Sequence, residues 1–125
     1  TNCIAQRAAI TAVLAPIEKI QFMVKEFKTR RNIIVDLLNE IPGFKVNIPD
    51  GAFYVFPDVS AFFGKTIDGF SINNAGDFSM FLLEKANVAT VSGEAFGAAN
   101  CIRISYAASE SQIREALKRI KAAVS

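Results

Sequence analysis

The 125-residue sequence contains no histidine and no tryptophan, and it has only two cysteines, Cys3 and Cys101. Without histidine, the chain offers no imidazole for acid–base catalysis or for a zinc site. The two cysteines lie far apart and follow no metal-ligand spacing, a usage that suits a reducing cytoplasm. We therefore expect a cytoplasmic protein with no metal-binding residue in this chain.

Charge of one sign and long hydrophobic runs are also missing. The 14 basic and 12 acidic residues give a net charge of +2, and both signs are mixed along the chain. Such a distribution predicts neither a nucleic-acid patch nor a surface for anionic lipids. No apolar run approaches the ~20 residues of a membrane span. With 51% hydrophobic residues, the sequence has enough apolar side chains for one domain with a single core.

Apolar residues recur with helical period in four segments. Thr1 or Asn2 is suited to cap the first helix. Asn74 begins the third, and Ser109 with Gln112 forms a capping box for the last. The four predicted helices cover residues 3–14, 17–41, 74–86 and 109–124.

Shorter apolar runs predict strands at residues 44–48, 52–56, 88–91 and 101–107, with a loop connection over 61–74. The first two strands are expected to be joined by the turn Pro49-Asp50-Gly51. Residues 52–56 are apolar at every position, which indicates a strand covered on both faces and places its aromatic side chains in the core. The predicted fold is α/β, with a small mixed sheet of three to four strands and helices packed on it.

Arg103 is the candidate functional residue. In a strand over 101–107, Ile102, Ile104 and Tyr106 would form a core face, and Arg103 would point to the other side between small residues. Arginine presents a planar fork of donors that matches a carboxylate in bidentate geometry. The alternative interpretation is an arginine on the wet face of a half-exposed sheet, which periodicity alone favours.

The segment before this strand, Val91-Ser92-Gly93-Glu94-Ala95-Phe96-Gly97, is a loop with glycines on both sides of Phe96. Glycine allows the backbone to approach a ligand closely, so Phe96 is a candidate for the wall of a substrate pocket. A plain tight turn is the alternative.

Several motifs in order along the chain resemble a known family. They are Thr1-Asn2-Cys3-Ile4-Ala5-Gln6, Arg30-Arg31, Pro42-Gly43-Phe44, Gly51-Ala52-Phe53-Tyr54-Val55-Phe56-Pro57, Val88-Ala89-Thr90-Val91, Gly93 to Gly97, and Ile102-Arg103-Ile104-Ser105-Tyr106-Ala107. Together they resemble the C-terminal part of class I aminotransferases, the fold-type I pyridoxal-phosphate enzymes, and look most like the bacterial aspartate aminotransferase branch. The resemblance covers essentially all of the chain.

The resemblance implies that residues 1–125 are the small C-terminal domain of an aminotransferase, excised from a longer enzyme. In that family the lysine that binds pyridoxal phosphate and most phosphate ligands lie upstream of this region. The resemblance therefore implies no catalytic and no cofactor-binding residue here, and an inactive chain when it is alone. Arg103 would bind the substrate α-carboxylate and Phe96 would line the pocket. The implied partners are an amino acid, a 2-oxo acid, the missing large domain and a second subunit of a homodimer.

Two alternatives stay open at this point. A fold-type I relative with other chemistry, such as a lyase or an aminotransferase-like regulator, would carry the same small domain. A free-standing carboxylate-binding module would need no further domain at all.

Overall fold

The computed structural model describes residues 2–125. Thr1 lies outside the described residues, and so does its predicted capping role. Asn2 caps the first helix, because its Oδ1 accepts hydrogen bonds from the backbone N–H groups of Ile4 and Ala5 at 2.9 Å and 3.2 Å.

Four helices and five short strands follow along the described chain. The helices are α1 (Cys3–Val13), α2 (Gln21–Asn39), α3 (Ala75–Ala86) and α4 (Glu110–Val124). The strands are β1 (Tyr54–Val55), β2 (Lys65–Ile67), β3 (Phe70–Ile72), β4 (Val91–Ser92) and β5 (Ile102–Ser105). The predicted α/β class is confirmed. The predicted caps are also present, with Asn74 accepting from the Asp77 amide and Ser109 and Gln112 forming the capping box of α4.

The central sheet has the order β1-β5-β4, and both pairings are antiparallel. Tyr54 lies opposite Ser105, and Val91 lies opposite Arg103. The sheet has the expected small size, but its described pairings are antiparallel rather than mixed. The segment 61–74, predicted as a loop connection, contains the separate hairpin of β2 and β3.

Two other predicted segments differ from the structure. The long helix from residue 17 begins as a 3₁₀ turn at Ile17–Lys19, and the α-helix starts only at Gln21. The predicted strand 44–48 is reduced to one bridge, in which Lys45 pairs with Asp58. Residues 44–48 and 52–56 therefore do not form a hairpin, since β1 pairs with β5 instead.

A single hydrophobic core lies between the helices and the central sheet. α4 packs against both α2 and α3, and it buries Ile113, Leu117 and Ile120. Five phenylalanine rings make an aromatic group beside these helices, with Phe62 and Phe78 stacked at 4.7 Å between centroids. Its members are Phe44, Phe62, Phe70, Phe78 and Phe81.

The N-terminal quarter of the chain buries almost nothing. No residue of α1 is buried, and Ile4 and Val13 are 78% and 83% exposed. The stripe of α2 is buried only from Ile34 onward, whereas its first turns are bare. We call this set of exposed apolar residues the N-terminal apolar face; it comprises Ile4, Ile10, Val13, Leu14, Ile17, Ile20, Phe22, Met23 and Val24.

A tight turn between β4 and β5 depends on Gly93. The Gly93 amide donates to the Cys101 carbonyl at 2.7 Å, and its own carbonyl accepts from Phe96 and Ala98. A Cβ at this position would overlap the carbonyl oxygen of Ala98 and lie 2.6 Å from that of Cys101. Only glycine fits there without a shift of backbone, so Gly93 fixes how Phe96 is presented.

The turn before β1 is held by two side chains. The Tyr106 hydroxyl donates to the Ala52 carbonyl at 3.0 Å, and Arg31 Nη1 donates to the Pro49 carbonyl at 3.2 Å. Ala52 has a φ of 64°, a left-handed conformation that costs free energy for a residue with a Cβ. Arg31 is thus a tether for this turn.

We predict that the stability of the hydrophobic core depends on Leu82 of α3 and not on the adjacent Leu83. Leu82 is fully buried and Leu83 is 46% exposed. Leu82→Ala should lower the free energy of unfolding by about 2–5 kcal/mol, because it opens a cavity. Leu83→Ala, the matched control, should change it by about 0.5 kcal/mol or less. Urea unfolding of the 125-residue chain followed by circular dichroism measures both. A chain that is disordered at neutral pH, or two equal losses, would contradict an independent core.

Gly93→Ala should destabilise the chain by about 1–3 kcal/mol, since an added methyl group must displace the backbone of the turn. Gly51→Ala is the control, because a Cβ there meets no atom within 4 Å. The same urea titration compares the two variants. Equal stability of both would mean that the close approach at Gly93 is relieved without cost.

Burial raises the pKa of Tyr106, and the positive charge of Arg31 opposes that rise. Unfolded tyrosine therefore loses its proton at a lower pH than folded Tyr106, so this residue's contribution to stability falls as the pH rises above about 10. Tyr106→Phe should lose about 0.5–1.5 kcal/mol at pH 8 with the hydrogen bond to Ala52. The difference between the parent chain and this variant should shrink above pH 10. A difference independent of pH would show that the hydroxyl proton does not hold the turn.

Candidate functional site

Strand β5 presents Arg103 on the open face of the central sheet. Ile102, Ile104 and Tyr106 are buried, with at most 5% of each exposed. Arg103 lies between them in sequence, and its side chain emerges on the opposite face, where it is half-buried. The predicted alternation of this strand, including the buried Tyr106, is confirmed.

Two aromatic rings stand against the Arg103 guanidinium. Its central carbon lies 4.6 Å from the centroid of the Phe96 ring and 5.4 Å from that of Tyr54. These are distances of cation–π contacts. The structure thus brings together the two residues that the sequence singled out, Arg103 and Phe96; their role in binding stays a prediction.

Tyr54 was missed from the sequence, where the apolar run 52–56 indicated a strand covered on both faces. That prediction is wrong within this chain: Val55 is fully buried, but Phe53 and Tyr54 are 53% and 37% exposed. The antiparallel register explains the position of Tyr54. It pairs with Ser105, so its side chain is a diagonal neighbour of Arg103 on the same face. No signal in the sequence gives that register.

Arg103 has no anionic partner among residues 2–125. None of the side-chain hydrogen bonds of the described residues involves its guanidinium, and the described ion pairs are formed by Arg30, Arg114, Arg119 and Lys121. Arginine has five N–H donors, and those of Arg103 have no side-chain acceptor among the described residues. The guanidinium can therefore bind a carboxylate from outside the described chain.

The pKa shifts of Cys101 and Asp58, two titratable groups near Arg103, do not make either residue reactive. Burial, followed by the negative charge of Asp58, raises the pKa of the Cys101 thiol, so it stays protonated at neutral pH. Hydrogen bonds from the Ser60 hydroxyl and amide, at 2.6 Å and 2.8 Å, lower the pKa of Asp58. Neither residue offers an activated nucleophile or a base beside Arg103.

Two concavities lie on the surface of the described residues. One of about 660 Å³ is lined by Asn87, Ile104 and the first turns of α4. Another of about 620 Å³ lies between the start of α2 and the turn at residues 49–52. Arg103 lines neither concavity.

No lysine of this chain is in a setting that would hold an aldehyde cofactor. A lysine that binds one covalently needs a desolvated environment that lowers its pKa. Every lysine here is exposed to solvent, namely Lys19, Lys25, Lys28, Lys45, Lys65, Lys85, Lys118 and Lys121. Over residues 2–125 the structure also contains no group of acidic, cysteine or histidine side chains that could hold a metal ion. Nor is any helix in that range both long and apolar enough to cross a bilayer.

Comparison with known proteins identifies relatives along nearly the whole chain. The family described as "Aminotransferase class I and II" matches residues 3–120. A bifunctional aspartate aminotransferase and glutamate/aspartate-prephenate aminotransferase from Petunia hybrida is 48% identical over 98% of this chain and 26% of its own length. An aspartate aminotransferase from Rhizobium meliloti strain 1021 is 42% identical, again over 98% of this chain and 31% of its own.

Solved structures give the same result for the fold. An aspartate aminotransferase from Rhizobium meliloti superposes with a TM-score of 0.91 at 41% identity, over 97% of this chain and 30% of that one. An alanine aminotransferase from Pyrococcus furiosus gives 0.82 at 32% identity, over 94% of this chain and 28% of that one. The chain thus spans between a quarter and a third of its relatives' length, and it belongs to the class I and II aminotransferase family.

Proposed function

We propose that residues 1–125 are the C-terminal, substrate-binding domain of a longer pyridoxal-phosphate-dependent aspartate aminotransferase. The reaction would transfer an amino group from an amino acid to a 2-oxo acid. The observation that carries the proposal is Arg103, a guanidinium with no anionic partner in the described chain, held on an open sheet face in a chain whose relatives are aspartate aminotransferases. The chain covers 26% and 31% of two of those relatives, which supports a larger parent protein.

In the proposed enzyme, Arg103 binds the α-carboxylate that both substrates share. Two parallel hydrogen bonds from the fork would fix the plane of the carboxylate and hence the direction of the bonds on the adjacent carbon. Positioning of this kind contributes several kcal/mol to lowering a barrier. Phe96, against the guanidinium, would exclude water from one side of that pair.

Pyridoxal phosphate, when bound, supplies an electron sink for the reacting carbon. The residues of this chain do not fit the cofactor, because every lysine is exposed to solvent. We therefore assign no step of the cofactor chemistry to this chain, and we expect the 125-residue chain alone to be inactive.

The N-terminal apolar face supports a larger assembly. It exposes Phe22 by 66% and Leu14 by 78%, together with the rest of the set defined above. An apolar surface of this extent is typical of an interaction site. We propose that it is covered by the missing large domain and by the second subunit of a homodimer. The cytoplasmic location inferred from the cysteines stays a prediction.

Substitution of Arg103 in the full-length protein tests the proposal. Arg103→Lys should lower kcat/KM for aspartate and for 2-oxoglutarate, because a point charge cannot replace the fork, and Arg103→Leu should lower both further. Loss of a charge-assisted pair in a desolvated site costs about 2–5 kcal/mol, or roughly 30- to 5,000-fold in kcat/KM. Steady-state kinetics with aspartate and 2-oxoglutarate varied in turn measure the effect on kcat/KM for each substrate. The cofactor absorbance should be unchanged.

Arg114→Leu is the matched control. Arg114 is a surface arginine whose Nη2 lies 2.8 Å from Glu110 within α4, and its side chain is 53% exposed. Its loss should leave kcat/KM within about twofold, since exposed ion pairs contribute little. If Arg103→Leu retained normal kcat/KM with cofactor bound, Arg103 would be an ordinary surface arginine and the proposal would fail.

A further inference from the structure

We propose that Tyr54 is a positioning residue for substrate binding, which acts by fixing the plane of the Arg103 guanidinium. The inference rests on the proposed function, since it assigns Arg103 the substrate carboxylate. What is new is a second aromatic contact, from a strand that neither the sequence nor the comparisons connected with the site.

Few contacts fix the orientation of the Arg103 guanidinium. Within residues 2–125, neither a hydrogen bond nor an ion pair fixes the Arg103 head group, so its orientation depends on packing. Its packing partners are the rings of Phe96 and Tyr54, at 4.6 Å and 5.4 Å. An arginine side chain has about 2 kcal/mol of rotamer entropy to lose, so rings that hold it in advance reduce the loss on binding.

The rings of Tyr54 and Phe96 come from opposite sides of β5. Tyr54 belongs to β1 and Phe96 to the turn after β4, and these strands flank β5 on either side. The Phe96 ring also meets Phe56 edge-on, with 6.0 Å between centroids and 87° between planes. The Tyr54 ring meets Phe53 in the same manner, at 5.7 Å and 83°. Each ring that touches the guanidinium is thus supported by a second ring.

The N–H groups of the Arg103 guanidinium are the part that would bind a carboxylate. A guanidinium whose face lies over aromatic rings directs its N–H groups sideways, and a carboxylate binds such a fork edge to edge in the same plane. Both rings favour stacking at the face and do not compete for the in-plane donors, because an aromatic ring attracts the cation through its π electrons. No side-chain hydrogen bond of the described residues uses the Arg103 N–H groups, so these donors are available to a carboxylate.

The test uses the full-length enzyme with aspartate and 2-oxoglutarate. Tyr54→Leu should lower kcat/KM for both substrates about 3- to 30-fold, the range expected for loss of a cation–π contact. Tyr54→Phe keeps the ring and should stay within about twofold of the parent enzyme. Phe70→Leu is the control for loss of a ring, since Phe70 contacts Phe81 and lies in the hairpin of β2 and β3. It should leave kcat/KM unchanged.

A double-mutant cycle separates positioning from a structural role. In the Arg103→Leu background, Tyr54→Leu should cause no further loss, because Tyr54 is inferred to act through the guanidinium. Losses that multiply, or a Tyr54→Leu enzyme as active as the parent, would overturn the inference. If Tyr54→Leu fails to fold, Tyr54→Thr, whose β-branched side chain suits a strand, takes its place in the same cycle. Normal activity of Arg103→Leu alone would instead refute the proposed function, so the two failures are distinguishable.

Discussion

Strand β5 buries one face and exposes the other, and the rest of the candidate site depends on that difference. Burial of Ile102, Ile104 and Tyr106 sets the register of the strand, because a slip by one residue would exchange every inward and outward side chain. Each of the two isoleucine side chains contributes about 1.5–3 kcal/mol when fully buried. Arg103 is therefore held outward by its apolar neighbours in sequence and not by any polar contact of its own.

The two turns that carry the aromatic rings are fixed by different means. Phe96 is placed by backbone hydrogen bonds in a turn that admits only glycine at residue 93. Tyr54 follows a turn in which Ala52 adopts a left-handed conformation, and the cost is offset by hydrogen bonds from Tyr106 and Arg31. Tyr106 thus has two roles, since its ring fills the core beside Phe27 and its hydroxyl holds the turn.

Much of the fold could be predicted from the sequence because its signals are local. Helix caps such as Asn74 and Ser109, the stripe of α4 and the alternation around Arg103 depend on neighbours within a few residues. The predictions were wrong where the structure depends on pairing between residues that are far apart in the sequence. Residues 52–56 are continuously apolar, yet only Val55 is buried, because the sheet face that carries Tyr54 has no cover among the described residues.

The residues of the candidate site divide in the same way, into those marked by local sequence signals and those placed by long-range pairing. Arg103 and the glycine-bracketed Phe96 were predictable, since the period of the strand and the composition of the loop mark them directly. Tyr54 was not, because its proximity to Arg103 comes from the pairing of β1 with β5, which are separated by more than a third of the chain. Apolar composition alone cannot distinguish a ring that fills a core from a ring that packs on a cation.

An arginine on an open face is a weak carboxylate receptor by itself. At ~4 Å, two unit charges attract by about 1 kcal/mol in bulk water but by about 4 kcal/mol at an effective dielectric constant near 20. The aromatic rings remove water from part of the guanidinium, and Arg103 is half-buried among the described residues. The open sheet face and the bare N-terminal apolar face have no cover among residues 2–125. In the proposed enzyme, this domain supplies the oriented charge, and the rest of the protein supplies the dry surroundings that make the charge effective.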